Sequence, residues 1–332
     1  MTPTTVADRL TTDTAPQRVS RRPRRRVTLL VAGAVLAAVA LPGLVDAYTV
    51  SIASTALVLA TLAMSAQIVT GLAGLPTLGQ AAYLGVGAYT TALLADAGLS
   101  NGPVQLLAAG GAGAVAAAVS APLVLRTRGT AFLMVTFAVG ELARTVASKG
   151  AAVTGGDEGL QTPAVTVWPG TAPLRAEGFV YLYLLACFLV LAAAVAVLLR
   201  TRLALVLRGA ADHEARLGAL GHHVTRSLLA GWVAAGALAG AGGALLVAAH
   251  RYVSPADMHF DVSALALLAA AIGVGSMRGA VAGAVLVGVV RDLLGAETGG
   301  HSLALLGLAF LLIAYRQPVT TWWRTRIALG RR

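Results

Sequence analysis

Apolar residues run through the chain in long blocks, and the polar positions fall between the blocks rather than alternating within them. A helix needs about 20 predominantly apolar residues to cross a bilayer. Blocks of that order occupy 27–45, 48–70, 78–97, 103–125, 130–148, 179–199, 227–249, 262–277, 279–295 and 301–315. The pattern predicts an all-α polytopic membrane protein with about ten transmembrane helices. The blocks 262–277 and 279–295 are short and meet at Gly275–Gly279, so the count runs from eight to ten. The block 27–45 has the basic flank and apolar core of a signal peptide. No small-x-small cleavage site follows it, and it is read as a retained first helix.

The polar segments define the rest. Residues 1–26 are rich in Thr and Arg and are expected to be a disordered, basic cytoplasmic tail; 317–332 form a second cytoplasmic tail, and 27–316 the transmembrane domain. Two segments between spans, 149–178 expected outside and 200–226 expected inside, exceed the length of a simple connection. In 149–178, Pro163, Pro169 and Pro173 prevent a continuous helix. In 200–226, apolar residues at Leu203, Leu207, Ala211, Ala215, Leu217 and Leu220 keep close to helical spacing, with Arg208, Asp212 and Glu214 between them. Gly221 marks the stop of this short amphipathic helix. Such a helix fits either a groove on a soluble partner or the lipid interface.

One apolar stretch breaks its own pattern. GLAGLPTLGQAAYLGVGAY, residues 71–89, carries five glycines, a proline, a glutamine, a threonine and two tyrosines. Non-helical backbone persists at membrane depth only where protein or a water-filled cavity satisfies its polar groups. Broken helices mark transport pathways, which makes Gly71, Gly74, Thr77, Gly79, Gln80 and Tyr83 candidates to line a translocation path. The competing reading is close packing, with Gly79, Gly85 and Gly87 admitting a neighbouring helix.

Composition sharpens the class. The chain has 332 residues, 57% hydrophobic and only 12% charged, against about a quarter charged in soluble domains. The net charge of +11 invites a nucleic-acid partner. The basic residues sit between the blocks instead, as orientation in a membrane requires. With RRPRRR (21–26) inside, alternation places Arg126, Arg128, Arg200, Arg202, Arg208, Arg216, Arg226, Arg278 and Arg316 inside as well. Lys149, Arg175 and Arg251 fall outside. Both termini are therefore expected in the cytoplasm of a multi-pass protein in a lipid membrane, with no nucleic-acid partner.

Candidate chemistry is sparse. Cys187 is the sole cysteine and lies in an apolar block, so no disulfide framework forms within the chain. Glu141, with Arg144 one turn later, is the charge lying most clearly inside a span. It is read as an i,i+3 ion pair near the outer end of its helix, the alternative being a place on the path. TGGDEGL (154–160) suits turns with positive φ, and Asp157 and Glu158 face either solvent or an external protein. His213, His222 and His223 lack the carboxylate or cysteine that would complete a metal site. GAGG (240–243) follows no strand and reads as helix packing, and no Walker-type G-x-x-x-x-G-K-[ST] occurs.

Four stretches carry a family resemblance. LALVLRGAADHEARLGALGHHVTR (203–226) resembles the cytoplasmic loop of bacterial ABC-importer permeases for branched-chain amino acids, of the LivM type. Arg208, Glu214, Leu220, Gly221, Val224, Thr225 and Arg226 fall on family positions, while Ala211 replaces a usual Arg and His213 and His222–His223 depart. GLAGLPTLGQAAYLGVGAYTTA (71–92) resembles a second family stretch, with Leu75, Pro76 and Thr77 in place of the usual Gln-Leu-Ser. LRTRGTAFLMVTFAVGELARTV (125–146) with TGGDEGL, and YVSPADMHFDVSALALLAAAIGVGSMRGAVAGA (252–284), supply the others, in the same order.

The resemblance covers roughly 48–315 and implies the following. The chain is a permease subunit of an ATP-driven ABC importer in the bacterial cytoplasmic (inner) membrane, carrying branched-chain or similar apolar amino acids. Its helix in the coupling loop 200–226 meets an ATPase through Arg208, Asp212, Glu214, Ala215, Leu220 and Gly221. Its partners are a second, paralogous permease, two ABC ATPases that bind ATP–Mg, and an extracytoplasmic solute-binding protein. The chain is not an enzyme and holds no cofactor. Urea or short-amide importers share these motifs and are the near alternative. An autonomous ion-coupled carrier is the alternative of a different class. It needs buried ionisable relays, for which Glu141–Arg144 is the pair within a span while Asp46, Asp96, Asp257, Asp261 and Asp292 lie at edges.

Overall fold

The computed structural model describes residues 33–297, apart from 168–172, 175, 220, 222 and 274. Both tails and the block 301–315 lie outside the described residues. The structure divides at Leu41/Pro42 into two units. The first apolar helix, α1 (Gly33–Gly43), falls almost wholly in the first unit. The second unit carries everything below.

Its helices are α2 (Ala47–Gln67), α3 (Gln80–Asp96), α4 (Gly102–Val124), α5 (Thr130–Lys149), the short α6 (Ala151–Thr154), α7 (Glu177–Leu198), α8 (Arg202–Ala219), α9 (Val224–His250), α10 (Phe260–Ile272) and α11 (Met277–Glu297). Among the described residues, five helical segments are long and apolar enough to cross a membrane: Ala47–Leu72, Gly102–Val124, Thr130–Lys149, Glu177–Leu198 and Val224–His250. Each coincides with a block read from the sequence. Two other blocks are redrawn. The block 78–97 becomes helical only at Gln80, because the chain before it is irregular. The block 262–277 ends at Ile272, where a turn containing Gly275 at φ +72° leads into α11. At 13 residues, α10 spans about 20 Å, short of the roughly 30 Å hydrocarbon layer.

Burial sorts the helices into a centre and a rim. The α2 segment and α9 are 78% and 72% buried; α4, α5 and α7 are 28%, 22% and 39% buried. Glycine makes the centre possible. A Cβ at Gly87 would lie 2.1 Å from the Gly240 carbonyl, and one at Gly243 would lie 2.1 Å from the Leu84 carbonyl. Gly113 and Gly236 likewise bring α4 against α9, a Cβ at Gly113 lying 2.4 Å from the Gly236 carbonyl. Without an apolar solvent force to drive association in lipid, such backbone contact is what holds helices together. The packing reading of Gly85 and Gly87 is thus met, Gly85 lying against Met258, and so is that of the GAGG run.

At the end of the bundle away from α8, β1 (Leu160–Gln161) pairs antiparallel with β2 (Tyr252–Val253), Leu160 opposite Val253. The glycines of TGGDEGL adopt the positive φ expected of them at Gly155, Gly156 and Gly159. A 3-10 turn, Pro255–Met258, follows β2, capped reciprocally by Ser254 and Asp257. It leads into α10, whose Phe260 meets Phe137 of α5 edge-to-face and whose Ser263 accepts the Ala81 N–H at 3.0 Å. Phe137 lies seven residues into α5 and Ala81 is the second residue of α3, so α10 begins inside the bundle and its preceding loop descends to meet it.

Candidate functional site

Two features meet at one end of the bundle: the interrupted helix between α2 and α3, and α8. Helix α2 does not stop cleanly. It widens into a π-helical turn, Ile68–Leu72, before the chain leaves helical geometry. Such turns recur at functional sites. Gly74 follows with φ +70°, a conformation that a residue with a Cβ adopts at a cost. Residues to Gly79 are irregular, and α3 begins at Gln80.

The backbone N–H groups freed by this break are satisfied by side chains from two neighbouring helices, α5 and α10, and from the break itself. The Leu78 N–H donates to Thr136 Oγ1 of α5 at 3.1 Å. The Gly79 N–H donates to Thr77 Oγ1 at 3.2 Å, and the Ala81 N–H to Ser263 of α10. Ser65 Oγ of α2 lies 2.7 Å from Gln80 Oε1 and 2.8 Å from the Ala235 carbonyl of α9. It has one proton to give, so it serves one of the two acceptors at a time. Ser65, Thr77, Gln80, Thr136 and Ser263 are all buried. The Gln80 side-chain nitrogen is buried with no hydrogen-bond partner among the described residues. Three residues on, the Tyr83 hydroxyl is 2.6 Å from Ser120 Oγ, and the Tyr83 ring stands edge-on to Trp232.

Helix α8 lies against the start of this break. Ala204 and Leu207 are buried, Leu203, Ala210 and Leu217 are packed beside them, and Arg208, Asp212 and Arg216 are exposed. A Cβ at Gly74 would sit 3.1 Å from the Ala211 Cβ. A cleft of about 180 Å³ opens beside that contact, walled by Gly74, Leu75, Ala210, Ala211, Arg128 and Glu214. A bidentate ion pair closes it: Arg128 Nη2 and Nε donate to the two Glu214 carboxylate oxygens at 2.8 and 2.9 Å. Arg128 Nη1 is held by the Leu125 and Thr127 carbonyls at the end of α4. These hydrogen bonds hold the Glu214 carboxyl below its usual range, and Glu214 in turn raises the Arg128 guanidinium.

The structure brings Gly71, Gly74, Thr77, Gly79, Gln80 and Tyr83 together around one break, and Gly74 joins them to α8. Arg208, Asp212 and Ala215 are on α8, and Gly221 follows it at φ +80°. Leu220 and His222 lie outside the described residues, and His223 precedes α9. Glu141 stands apart. It receives the Arg144 Nε–H at 2.8 Å, as its spacing predicts. Sequence reasoning missed Arg128, Ser65, Thr136 and Ser263. The last three are polar residues inside apolar blocks, which was the available signal. Arg128 read only as a topology marker.

The arrangement holds mechanical couplings and hydrogen bonds, with no nucleophile–base pair among these residues. Comparisons with known proteins give it a family. The model of the branched-chain amino acid transport system permease component matches residues 48–314. The high-affinity branched-chain amino acid transport system permease protein LivM of Salmonella typhimurium is 31% identical over 306 residues, 84% of this chain and 71% of the relative. LivM of Escherichia coli is 30% identical over 312 residues, 87% of this chain and 73% of that relative. No solved structure matches the chain at a comparable level. The match takes in the break, α8 and every rim helix described above, and the chain belongs to the branched-chain amino acid transport permease family.

Proposed function

We propose that the chain is one of two permease subunits of an ATP-driven ABC importer for branched-chain or similar apolar amino acids. A paralogous permease completes the pathway, two cytoplasmic ATPases bind and hydrolyse ATP–Mg, and an external binding protein delivers the solute. The chain crosses the bacterial cytoplasmic membrane about ten times with both termini inside, and it performs no covalent chemistry. The family match and the printed names of the relatives support the transport role and the substrate class.

The observation that carries the mechanism is the seat of α8 on Gly74 at the foot of the interrupted helix. In this reading an ATPase grips the exposed face of α8 at Arg208 and Asp212. Glu214 is engaged by Arg128 of the same chain, so it ties α8 to the α4–α5 corner rather than to the ATPase. Movement of α8 passes through Ala211 to Gly74, and from there along residues 74–79 to Gln80. The buried nitrogen of Gln80 is the group left to be satisfied when the break rearranges. A two-state bundle of this kind switches which side its path faces.

The test is uptake of labelled leucine and labelled urea by the complex reconstituted in vesicles, beside vesicles holding this chain alone. Leucine uptake that requires ATP and both permeases is expected. Urea uptake instead of leucine would move the reading to short amides. Flux through the isolated chain driven by an ion gradient would replace it with an autonomous carrier.

A further inference from the structure

Three rim helices present most of their surface outward, and one of them is unlike the others. The exposed side chains of α4 include Leu107, Val115, Val119 and Leu123; those of α7 include Phe179, Val190 and Val197. Both faces are of the kind that lipid tails solvate. Helix α5 is the least apolar of the five long segments and the least buried. It touches the bundle along one stripe, Phe132, Thr136, Gly140 and Ala147. The rest of its perimeter carries Met134, Leu142 and Val146, but also Thr145 and the Glu141–Arg144 pair. Those two charged side chains keep 29% and 35% of their surface exposed.

The position of the pair makes lipid an unsuitable neighbour. Glu141 lies eleven residues from Thr130 and eight from Lys149, about 17 and 12 Å along the helix axis. A charge at such depth faces a bundle interior or a water-filled cavity rather than hydrocarbon. The pair shares one bond, Arg144 Nε to Glu141 Oε2. The Arg144 Nη groups and Glu141 Oε1 make no further hydrogen bond among the described residues. Their remaining capacity calls for polar groups from another chain.

Resting on the two-permease reading above, we infer that the outward face of α5 is covered by the paralogous permease, whose polar side chains complete the hydrogen bonding of Glu141 and Arg144. The stripe by which α5 is seated reinforces this. Thr136 receives the Leu78 N–H, and Gly140 lies against the Leu78 carbonyl. The interrupted helix is therefore one helix thickness behind the inter-subunit boundary, and the path runs along that boundary rather than through the centre of this chain.

The experiment places a photoreactive benzophenone side chain at Met134 or Leu142 on α5, and at Val119 on α4 or Val190 on α7. Each variant is expressed with the full complex and irradiated in membranes. The expected result is a band at the summed mass of the two permeases from the α5 positions, with lipid adducts from Val119 and Val190. Lipid adducts from α5 in a complex that still takes up leucine overturn this inference and leave the importer reading standing. The same follows if the permease adduct comes only from α4 or α7. A chain that co-purifies with no second permease removes the reading beneath both. Glu141→Gln and Arg144→Gln give a second readout: each is expected to lower recovery of the paralogue with this chain while the chain alone unfolds as before. Equal recovery in both would also count against the shared interface.

Discussion

Replacing Gly74 by alanine isolates the contact between α8 and the interrupted helix. Two costs add. A left-handed backbone costs an L-residue roughly 1–2 kcal/mol, and Gly74 has φ +70°. The new methyl would also lie 3.1 Å from the Ala211 Cβ, closer than a relaxed contact, so α8 or the break must give. Together these fall in the range of about 1–3 kcal/mol for a forced backbone. A coupling change of that size corresponds to about 5- to 150-fold in an equilibrium between two states. Gly98 supplies the control, because it has φ +85° and nothing within 4 Å of a Cβ. Gly98→Ala incurs the backbone cost without touching α8. ATP hydrolysis and leucine uptake are measured together in reconstituted vesicles. Gly74→Ala is expected to lower leucine carried per ATP, while Gly98→Ala leaves that ratio alone. Adding Ala211→Gly should restore only the steric share. Equal ratios for Gly74→Ala and Gly98→Ala would refute transmission through this contact.

Four further outcomes follow from the geometry. Arg128→Ala and Glu214→Ala should each loosen α8, with a coupling of about 0.2–1 kcal/mol in a double-mutant cycle on thermal unfolding; the exchanged pair Arg128→Glu with Glu214→Arg should recover part of it, and a zero coupling would deny the clamp. The Glu214 carboxyl is held below its usual range, so the contribution of the pair is present above the ordinary carboxylate pKa and lost as pH falls through the lowered one. The unfolding gap between wild type and Glu214→Gln should thus hold steady from about pH 8 to pH 5, and a gap that closes on the way down would contradict the assignment. Gly240→Leu, whose Cβ would meet the Ala109 carbonyl at 2.3 Å, should cost about 1–3 kcal/mol or more by overpacking, whereas Gly111→Leu, with open space around it, should unfold like wild type. Gln80→Leu removes a buried nitrogen that has no partner and an acceptor of Ser65, which keeps the Ala235 carbonyl, so stability should hold while leucine uptake falls; undiminished uptake would take Gln80 off the path.

Much of this was legible in the residues because lipid imposes simple rules. Long apolar blocks gave α2, α4, α5, α7 and α9 within a few residues, and glycine density told where helices would cross. The spacing of Leu203, Leu207 and Leu217 gave α8, and i,i+3 spacing gave the Glu141–Arg144 bond. The length of α10 was not legible, since the apolar run 262–277 continues through a turn set by backbone conformation rather than by polarity. The partner of Glu214 was also hidden. Arg128 is 86 residues away, and no local pattern joins residues at that separation. The serines and threonines that satisfy the break look like ordinary members of apolar spans until the broken backbone is placed beside them.

The end of α2 holds one more relation. Gln67, with its amide turned to satisfy both neighbours, donates to the Ala270 carbonyl at 3.0 Å and accepts from the Ser276 N–H at 3.2 Å. That amide occupies the space where a side chain on Gly71 would stand, 2.0 Å from an ideal Cβ. The bend joining α10 to α11 is consequently latched by a group whose berth exists only while position 71 is bare and the wide turn beside it keeps its register. The two discontinuities in this bundle thus share one side chain, the Gln67 amide, and neither can be repacked without finding that amide a new place.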